Sequence, residues 1–138
     1  MSRISNSFQR LFGFSITEVM ITLLVIGTLT AIALPIYEHN ITQAKMSEAD
    51  AALGSIRTQL RVYSSEFGKY PTANPAGYVI GADWNDLERG DMVGRYFSDS
   101  SYKYFSLDGS NFTISCRDGS DSNSIRTINE SGTLAGDI

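Results

Sequence analysis

Residues 13–37 read GFSITEVMITLLVIGTLTAIALPIY, and this stretch decides how the chain is organised. Its single charged residue is Glu18, which precedes an uncharged apolar run from Val19 to Tyr37. A helix over that run would be roughly 28 Å long, close to the thickness of the hydrocarbon core of a bilayer. A carboxylate that faces lipid alone costs about 2.5–3.5 kcal/mol, so we expect Glu18 to have a cationic partner.

Cleavage of the chain between Gly13 and Phe14 would create such a partner. The cut leaves a new α-amino group on Phe14, one helical turn from Glu18, on the same chain or on a neighbouring copy. Glycine before the cut leaves the backbone unhindered for a protease. Residues 1–13 carry two arginines and no acid. By the positive-inside rule, this leader is expected in the cytoplasm and the rest of the chain outside.

These features together resemble a known family. A short basic leader, Gly13 followed by Phe14, Glu18 four positions later and a long apolar helix look like the cleavage and assembly motif of type IV prepilins. The pseudopilins of type II secretion share this motif. The likeness continues through Gly27 and the proline and tyrosine of the apolar stem, and it covers roughly residues 8–40.

The resemblance implies how these residues act. A prepilin peptidase, which is also an N-methyltransferase, would cut before Phe14 and methylate the new terminus. Glu18 would pair with the amine of an adjacent subunit, and a copy docked out of register would leave a buried charge unpaired, at about 3–5 kcal/mol. Gly27 and Pro35 interrupt the apolar helix, and Pro35 is expected to kink or weaken it because proline removes a backbone hydrogen bond.

Two other interpretations of this segment stay open. An ordinary secretory signal would use the basic leader, the apolar run and the A-x-A site at 31–33, but Glu18 would then lie inside the apolar core of the signal. A simple membrane anchor fits the length and the orientation, but it gives Glu18 no role. The prepilin interpretation accounts for each of these features.

After Tyr37 the stem is predicted to continue as an amphipathic helix to about Phe67. Apolar residues recur at alternating spacings of three and four and form one helical stripe suited to packing on a sheet. They are Met46, Ala49, Leu53, Ile56, Leu60, Tyr63 and Phe67. Gly68 and Pro71 supply the stop signal. The whole helix would begin near Phe14, with its apolar half protruding.

The C-terminal part is predicted to form a small antiparallel sheet. Residues 102–107 and 111–116 alternate in polarity and flank Asp108-Gly109, which is a strong hairpin signal. A third strand is predicted at 124–129. Residues 68–95 are rich in Pro, Gly, Asn and Asp and are interpreted as a loop with little regular structure.

These elements predict an α+β, pilin-like fold in which a long N-terminal helix packs on the sheet. The predicted organisation is a leader, an apolar transmembrane or filament-core helix, and a globular head. The head would consist of the amphipathic helix, the loop, the sheet and a short tail. The respective ranges are 1–13, 14–37 and 38–138, with the loop at 68–95 and the sheet at 96–130.

Charge and cysteine content restrict the classes of function. The chain has 15 acidic and 11 basic residues, a net charge of −4, which becomes −6 when the two leader arginines are removed (−4 minus 2). This charge argues against binding nucleic acid by general attraction to phosphate. Cys116 is the single cysteine, so an intrachain disulfide is impossible, and we expect a buried small residue in a strand. No phosphate-binding loop, nucleophile elbow or catalytic triad occurs in the sequence, so an enzyme is not expected.

Three aspartates near the C-terminus, Asp118, Asp121 and Asp137, are weak candidates for a metal site. Carboxylate oxygens are the ligands that calcium prefers, and calcium in a C-terminal loop is a feature of the major pseudopilins that the chain resembles. The spacing of the three residues matches no ion-binding loop. Solvated turn residues are therefore favoured, and no cofactor is expected.

The resemblance implies a structural subunit of a type IV pilus-like filament. Its partners would be copies of itself, the prepilin peptidase and N-methyltransferase, and the inner-membrane assembly machinery. It would cross the inner membrane once before assembly and then join an extracellular pilus. The alternatives are a type II secretion pseudopilin in a periplasmic pseudopilus, and a minor pilin that binds DNA or surfaces. Nucleic acid is not expected as a partner of a major subunit.

Overall fold

A computed structural model describes residues 13–119 and 124–138. They form one long helix, five strands and a short 3-10 turn, which confirms the predicted α+β class. The helix is α1, Ile16–Phe67; the strands are β1, Ala73–Tyr78; β2, Tyr102–Ser106; β3, Thr113–Arg117; β4, Ile125–Asn129; and β5, Leu134–Ala135; the turn is Asp99–Ser101. The chain divides after Glu38 into two compact units.

The helix α1 is continuous through Pro35. It begins two residues after the predicted start, where the carbonyl of Ser15 accepts hydrogen bonds from the amides of Glu18 and Val19 at 3.0 and 3.1 Å. It ends at Phe67, as predicted from the stop signal. The kink or weak point expected at Pro35 stays a prediction.

The five strands form one antiparallel sheet in sequence order, β1-β2-β3-β4-β5. The predicted hairpin is confirmed as β2 and β3, in which Tyr102 pairs with Cys116 and Phe105 with Thr113. The turn between them contains Gly109 at a φ of 79°, a backbone angle that side chains disfavour. The amide of Tyr70 donates to the carbonyl of Gly109 at 2.9 Å. This hydrogen bond holds the segment that follows α1 against the hairpin turn.

The segment 68–95, predicted as a loop with little regular structure, contains β1, and the predicted tail contains β5. The sequence of β1, ANPAGY, lacks the alternation of a half-buried strand. It is tolerated because β1 lies at the edge of the sheet, where Pro75 need not donate to a neighbour, and its register with β2 is irregular between Ala73 and Gly77. β5 pairs over two residues only, too short for a pattern.

The core lies between the second half of α1 and one face of the sheet. The predicted stripe is confirmed at its centre, where Ala49, Leu53, Ile56 and Leu60 are fully buried. From the sheet come Tyr102, Tyr104, Phe112, Ile114, Cys116 and Ile128. Of the two predicted faces of β2, the tyrosines face inward, while Phe105 and Leu107 are exposed.

The connection between β1 and β2 is held to this core by apolar and aromatic side chains. Val79 is fully buried, and Trp84 packs on Tyr104 with the ring centroids 5.0 Å apart. The hydroxyl of Tyr104 donates to the carbonyl of Pro71 at 2.6 Å. Tyr78 is different, because 58 % of its surface is exposed to solvent on the outer face of the sheet.

The buried thiol of Cys116 predicts loss of stability in alkali. Burial raises the pKa of Cys116 from 9.0 to about 12 and that of Tyr104 from 10.0 to about 12. Between about pH 9 and pH 12 the folded chain therefore binds more protons than the unfolded chain, so the free energy of unfolding falls as the pH rises. Urea unfolding followed by circular dichroism at pH 8 and pH 11 measures this fall. Cys116→Ala should reduce the fall, and equal stability at both pH values would contradict the burial argument.

Candidate assembly site

The candidate site begins at the exposed residues Gly13 and Phe14, which precede α1. Within the described residues, no atom other than those of its chain neighbours lies within 4 Å of the position that a Cβ on Gly13 would take. Glu18 lies in the first turn of α1, where the helix dipole also favours a carboxylate.

Glu18 is exposed, and it has no ion pair within the described part of the chain. The two salt bridges found there, Lys45 with Asp118 and Arg126 with Asp50, both belong to the second unit. The structure thus leaves the carboxylate of Glu18 available for a cation from elsewhere.

The first half of α1 presents an almost entirely apolar surface. Every large apolar side chain from Phe14 to Tyr37 is exposed, from 45 % for Val19 to 80 % for Phe14. Such a continuous apolar surface is unfavourable in water and is typical of a segment that contacts lipid or other protein. By length and composition, α1 is the one described helix that could cross a membrane.

Three threonines within this apolar half satisfy their hydroxyl groups inside the helix. Thr22 donates to the carbonyl of Glu18 at 2.7 Å, Thr28 to Val25 at 2.9 Å and Thr30 to Ile26 at 2.8 Å. Because these donors need no water, the threonines are compatible with lipid or with a dry bundle of helices. Gly27 and Pro35 lie in the same exposed surface.

In the second unit, sequence analysis missed a carboxylate that holds a loop to α1. Glu48 accepts hydrogen bonds from the backbone amides of Arg95, Tyr96 and Phe97 at 3.2, 3.0 and 3.0 Å. Gly94 lets this loop approach, because a Cβ there would overlap the carboxylate of Glu48. In the sequence, Glu48 lies next to the apolar stripe, at a position typical of a solvated residue. Its partners are more than 45 residues away along the chain, so the sequence does not indicate this contact.

Further charged residues of α1 hold the C-terminal segments. Asp50 and Arg126 form a two-bonded pair at 2.7 and 3.0 Å, which raises the pKa of Arg126. Arg126 also donates to the carbonyl of Gly136 at 2.6 Å. Arg57 donates to the carbonyl of Glu130 at 3.0 Å. The partners are far apart along the chain, so no local sequence pattern predicts these contacts.

Replacing Glu48 tests how much its contact with the loop contributes to the free energy of unfolding. We expect Glu48→Ala to lower the free energy of unfolding by about 1–3 kcal/mol, because three amides lose a charged acceptor. Glu48→Gln keeps one acceptor oxygen and should lose less. Urea unfolding of the full chain in detergent measures the change, with Glu66→Ala, an exposed acid on the same helix, as the control. Equal effects for Glu48 and Glu66 would show that the contact is not stabilising.

The structure describes two of the three metal candidates, Asp118 and Asp137. Asp118 is buried and bonds to Lys45 at 2.6 Å, which neutralises its charge. Asp137 is exposed near the end of the chain. Asp121 lies outside the described residues. Within the residues described, no three histidine, cysteine or carboxylate side chains are close enough to hold a metal ion.

Comparison with curated proteins gives matches that include pilins. Fimbrial protein EcpC from Eikenella corrodens is 39 % identical over 67 residues, which are 49 % of this chain and 44 % of that protein. Type IV major pilin protein PilE1 from Neisseria gonorrhoeae is 32 % identical over 91 residues, 66 % of this chain and 38 % of the relative. A fimbrial protein from Neisseria meningitidis is 29 % identical over 91 residues, 66 % and 48 % of the two chains.

The chain thus spans about half or less of the length of these relatives. No family model matches it, and no solved structure matches it significantly. From the curated matches, the chain is therefore similar to proteins of the type IV pilin family over the matched residues.

Proposed function

We propose that the chain is a structural subunit of a type IV pilus-like filament and that it polymerises through the first half of α1. The observation that carries this proposal is the exposed apolar surface from Phe14 to Tyr37, with Glu18 at its start as its one carboxylate. A filament core would remove this surface from water, which is the largest favourable term in protein association. The matched relatives named as pilins and fimbrial proteins support the same assignment.

Before assembly, the apolar half of α1 would anchor the chain in the inner membrane. The two arginines of the leader would keep residues 1–13 in the cytoplasm and place the head outside. The membrane and the inner-membrane assembly machinery are therefore the first partners, and an extracellular pilus is the final location. The chain acts in this scheme as substrate and building block, without an enzymatic step of its own.

Processing would then supply the cation that Glu18 lacks. A prepilin peptidase cuts between Gly13 and Phe14, and N-methylation keeps the positive charge on the new amine. In a dry helical bundle, the pair between this amine and Glu18 of an adjacent copy offsets the cost of burying both charges. Its main effect is on register, because a misplaced copy leaves one buried charge without a partner.

Glycine and proline inside α1 would adjust the helix during assembly. Pro35 contributes no amide to the helix. Gly27 leaves room for a close helix contact, since among the described residues no atom outside its own helix backbone lies within 4 Å of its Cβ position. We propose that neighbouring copies pack near these two residues. A periplasmic pseudopilus would use the same N-terminal chemistry, but the relatives named above are pilins and fimbrial proteins, which favours a pilus.

Mass spectrometry of filaments sheared from cells tests this function. We expect the subunit to begin at a methylated Phe14, without residues 1–13. A host without prepilin peptidase is the control and should retain the full precursor in the membrane. A mature chain that begins at another residue would contradict the proposal. The sheared fraction also measures abundance, which distinguishes a major subunit from a minor one.

A further inference from the structure

The second unit carries a basic groove of about 670 Å³ on the outer face of the sheet and the adjoining loop. We use the name basic groove for the site lined by Tyr78, Arg95, Lys103 and Arg117 together with serines that include Ser100. The cationic side chains are exposed. The ammonium of Lys103 lies 5.3 Å from the centre of the Tyr78 ring. This local charge contrasts with the net charge of −4 of the chain.

The cations of the basic groove have no carboxylate partner within residues 13–119 and 124–138, where both salt bridges lie elsewhere. The groove also contains Asp118, but its carboxylate is already bonded to Lys45. Three like charges that line one groove repel one another, and an anionic partner would relieve that repulsion. The groove is also held in shape, because Glu48 fixes the loop that carries Arg95.

An acidic cleft of about 420 Å³ lies elsewhere on the same unit. We use this name for the site lined by Gln59, Glu66, Asp83, Trp84 and Asp86, together with apolar and aromatic residues of α1. Its carboxylates are exposed, and its lining contains no cation. The aromatic rings at this site, including Trp84, offer faces on which a cation can rest.

An unused hydrogen-bond acceptor accompanies these carboxylates. The side-chain oxygen Oε1 of Gln59 is buried and, within the described structure, has no hydrogen-bond partner. A buried acceptor without a donor is unfavourable by about 1–3 kcal/mol. Guanidinium and ammonium groups are donors only, so a cation entering this cleft could bond to its carboxylates.

We infer that the basic groove of one copy binds the acidic cleft of a neighbouring copy of this chain. This inference rests on the proposed filament and names a second contact for it, in the head. The two sites are complementary in charge, aromatic residues line both, and both belong to one unit, so every copy presents both. A contact between two different surfaces of identical chains does not close on itself unless the rotation closes a ring, and it therefore suits an open helical filament.

Cross-linking of two tagged full-length copies, co-expressed in one cell, tests the contact. One copy carries Ser100→Cys at the basic groove, and the other carries Thr58→Cys at the acidic cleft, so the charges of both sites are kept. We expect a short bis-maleimide to give a dimer that carries both tags. The control pairs Ser100→Cys with Ser110→Cys, an exposed position at the hairpin turn, and should give little product. The parent chain checks that buried Cys116 does not react.

Charge reversal makes the test specific. Adding Arg95→Glu and Lys103→Glu to the first copy should lower the cross-link about tenfold, because like charges placed across an interface repel. Adding Asp83→Lys and Asp86→Lys to the second copy should then restore it. Arg61→Glu, an exposed cation outside both sites, should have no effect. Circular dichroism of each variant verifies that the head is folded.

Absence of the cross-link, its persistence after reversal, or failure of the double swap to restore it would each overturn the inference. If reversal spares the cross-link but abolishes retention of a labelled oligonucleotide, the groove binds nucleic acid and the inference is also wrong. Sheared filaments without the cross-link would remove this contact and leave the proposed function intact. A specific cross-link in membranes of cells that make no filaments would support this contact and contradict the proposed function.

Discussion

Glu18→Ala is expected to abolish or sharply reduce incorporation of the chain into filaments while cleavage before Phe14 continues. The substitution removes the carboxylate that would compensate the amine of an adjacent copy. That amine would then be buried in the apolar core without a partner, at about 3–5 kcal/mol for each subunit contact. Because the penalty recurs at every addition, even the lower bound should shift polymerisation far toward the membrane-bound pool.

The measurement compares the sheared filament fraction with the membrane fraction by immunoblot, and mass spectrometry reports the N-terminus of each pool. Glu18→Gln has nearly the same shape without the charge, and it should fail in the same way if charge is the cause. Glu38→Ala is the matched control, since Glu38 is also an exposed acid on α1 but lies beyond the apolar run. Normal filaments from Glu18→Ala would refute the assembly role of this residue.

Leu53→Ala is expected to cause the largest loss of stability in the head, about 2–5 kcal/mol. Leu53 is fully buried at the centre of the helical stripe, so truncation removes apolar contacts and leaves a cavity against the sheet. A domain of this size has a total stability of about 5–15 kcal/mol, so the variant would be marginal. Most of the chain should then be lost to proteolysis before assembly.

Urea unfolding of the full chain in detergent measures this loss, with fluorescence of Trp84 as the probe. Trp84 is the single tryptophan and packs on Tyr104, so its signal reports on the head. Leu107→Ala is the control, because it makes the same chemical change at a side chain that is 67 % exposed. Similar losses for the two variants would show that the core is not organised around the helical stripe.

The parts of the fold that follow from local patterns could be predicted from the sequence. The three-and-four spacing identified the buried stripe of α1, and Asp108-Gly109 identified the hairpin of β2 and β3. β1 could not be predicted in this way, because its residues have poor strand propensity and it depends on pairing with β2, which lies more than 20 residues further on. β5 is too short to produce a periodic signal.

The residues of the candidate site stay a prediction from the sequence, and their partners cannot be predicted from it. The spacing of Gly13, Phe14 and Glu18 is visible in the sequence, whereas the cation expected for Glu18 would come from a processed second chain. The roles of Glu48 and Asp50 depend on residues 47 to 76 positions away, which no local pattern reveals. The net charge likewise does not indicate the basic groove, because it sums the charges of acidic and basic surfaces that lie apart in the fold.

The head is held together by packing and charge contacts, which determines the conditions under which it can mature. Cys116 is buried in β3, and α1 reaches the later segments through Glu48, Asp50 and Arg57 rather than through a covalent bridge. Maturation of this head should therefore need no thiol oxidase or disulfide isomerase outside the cytoplasm. On the proposed function, we expect assembly of this subunit to be as efficient under strongly reducing conditions as under air.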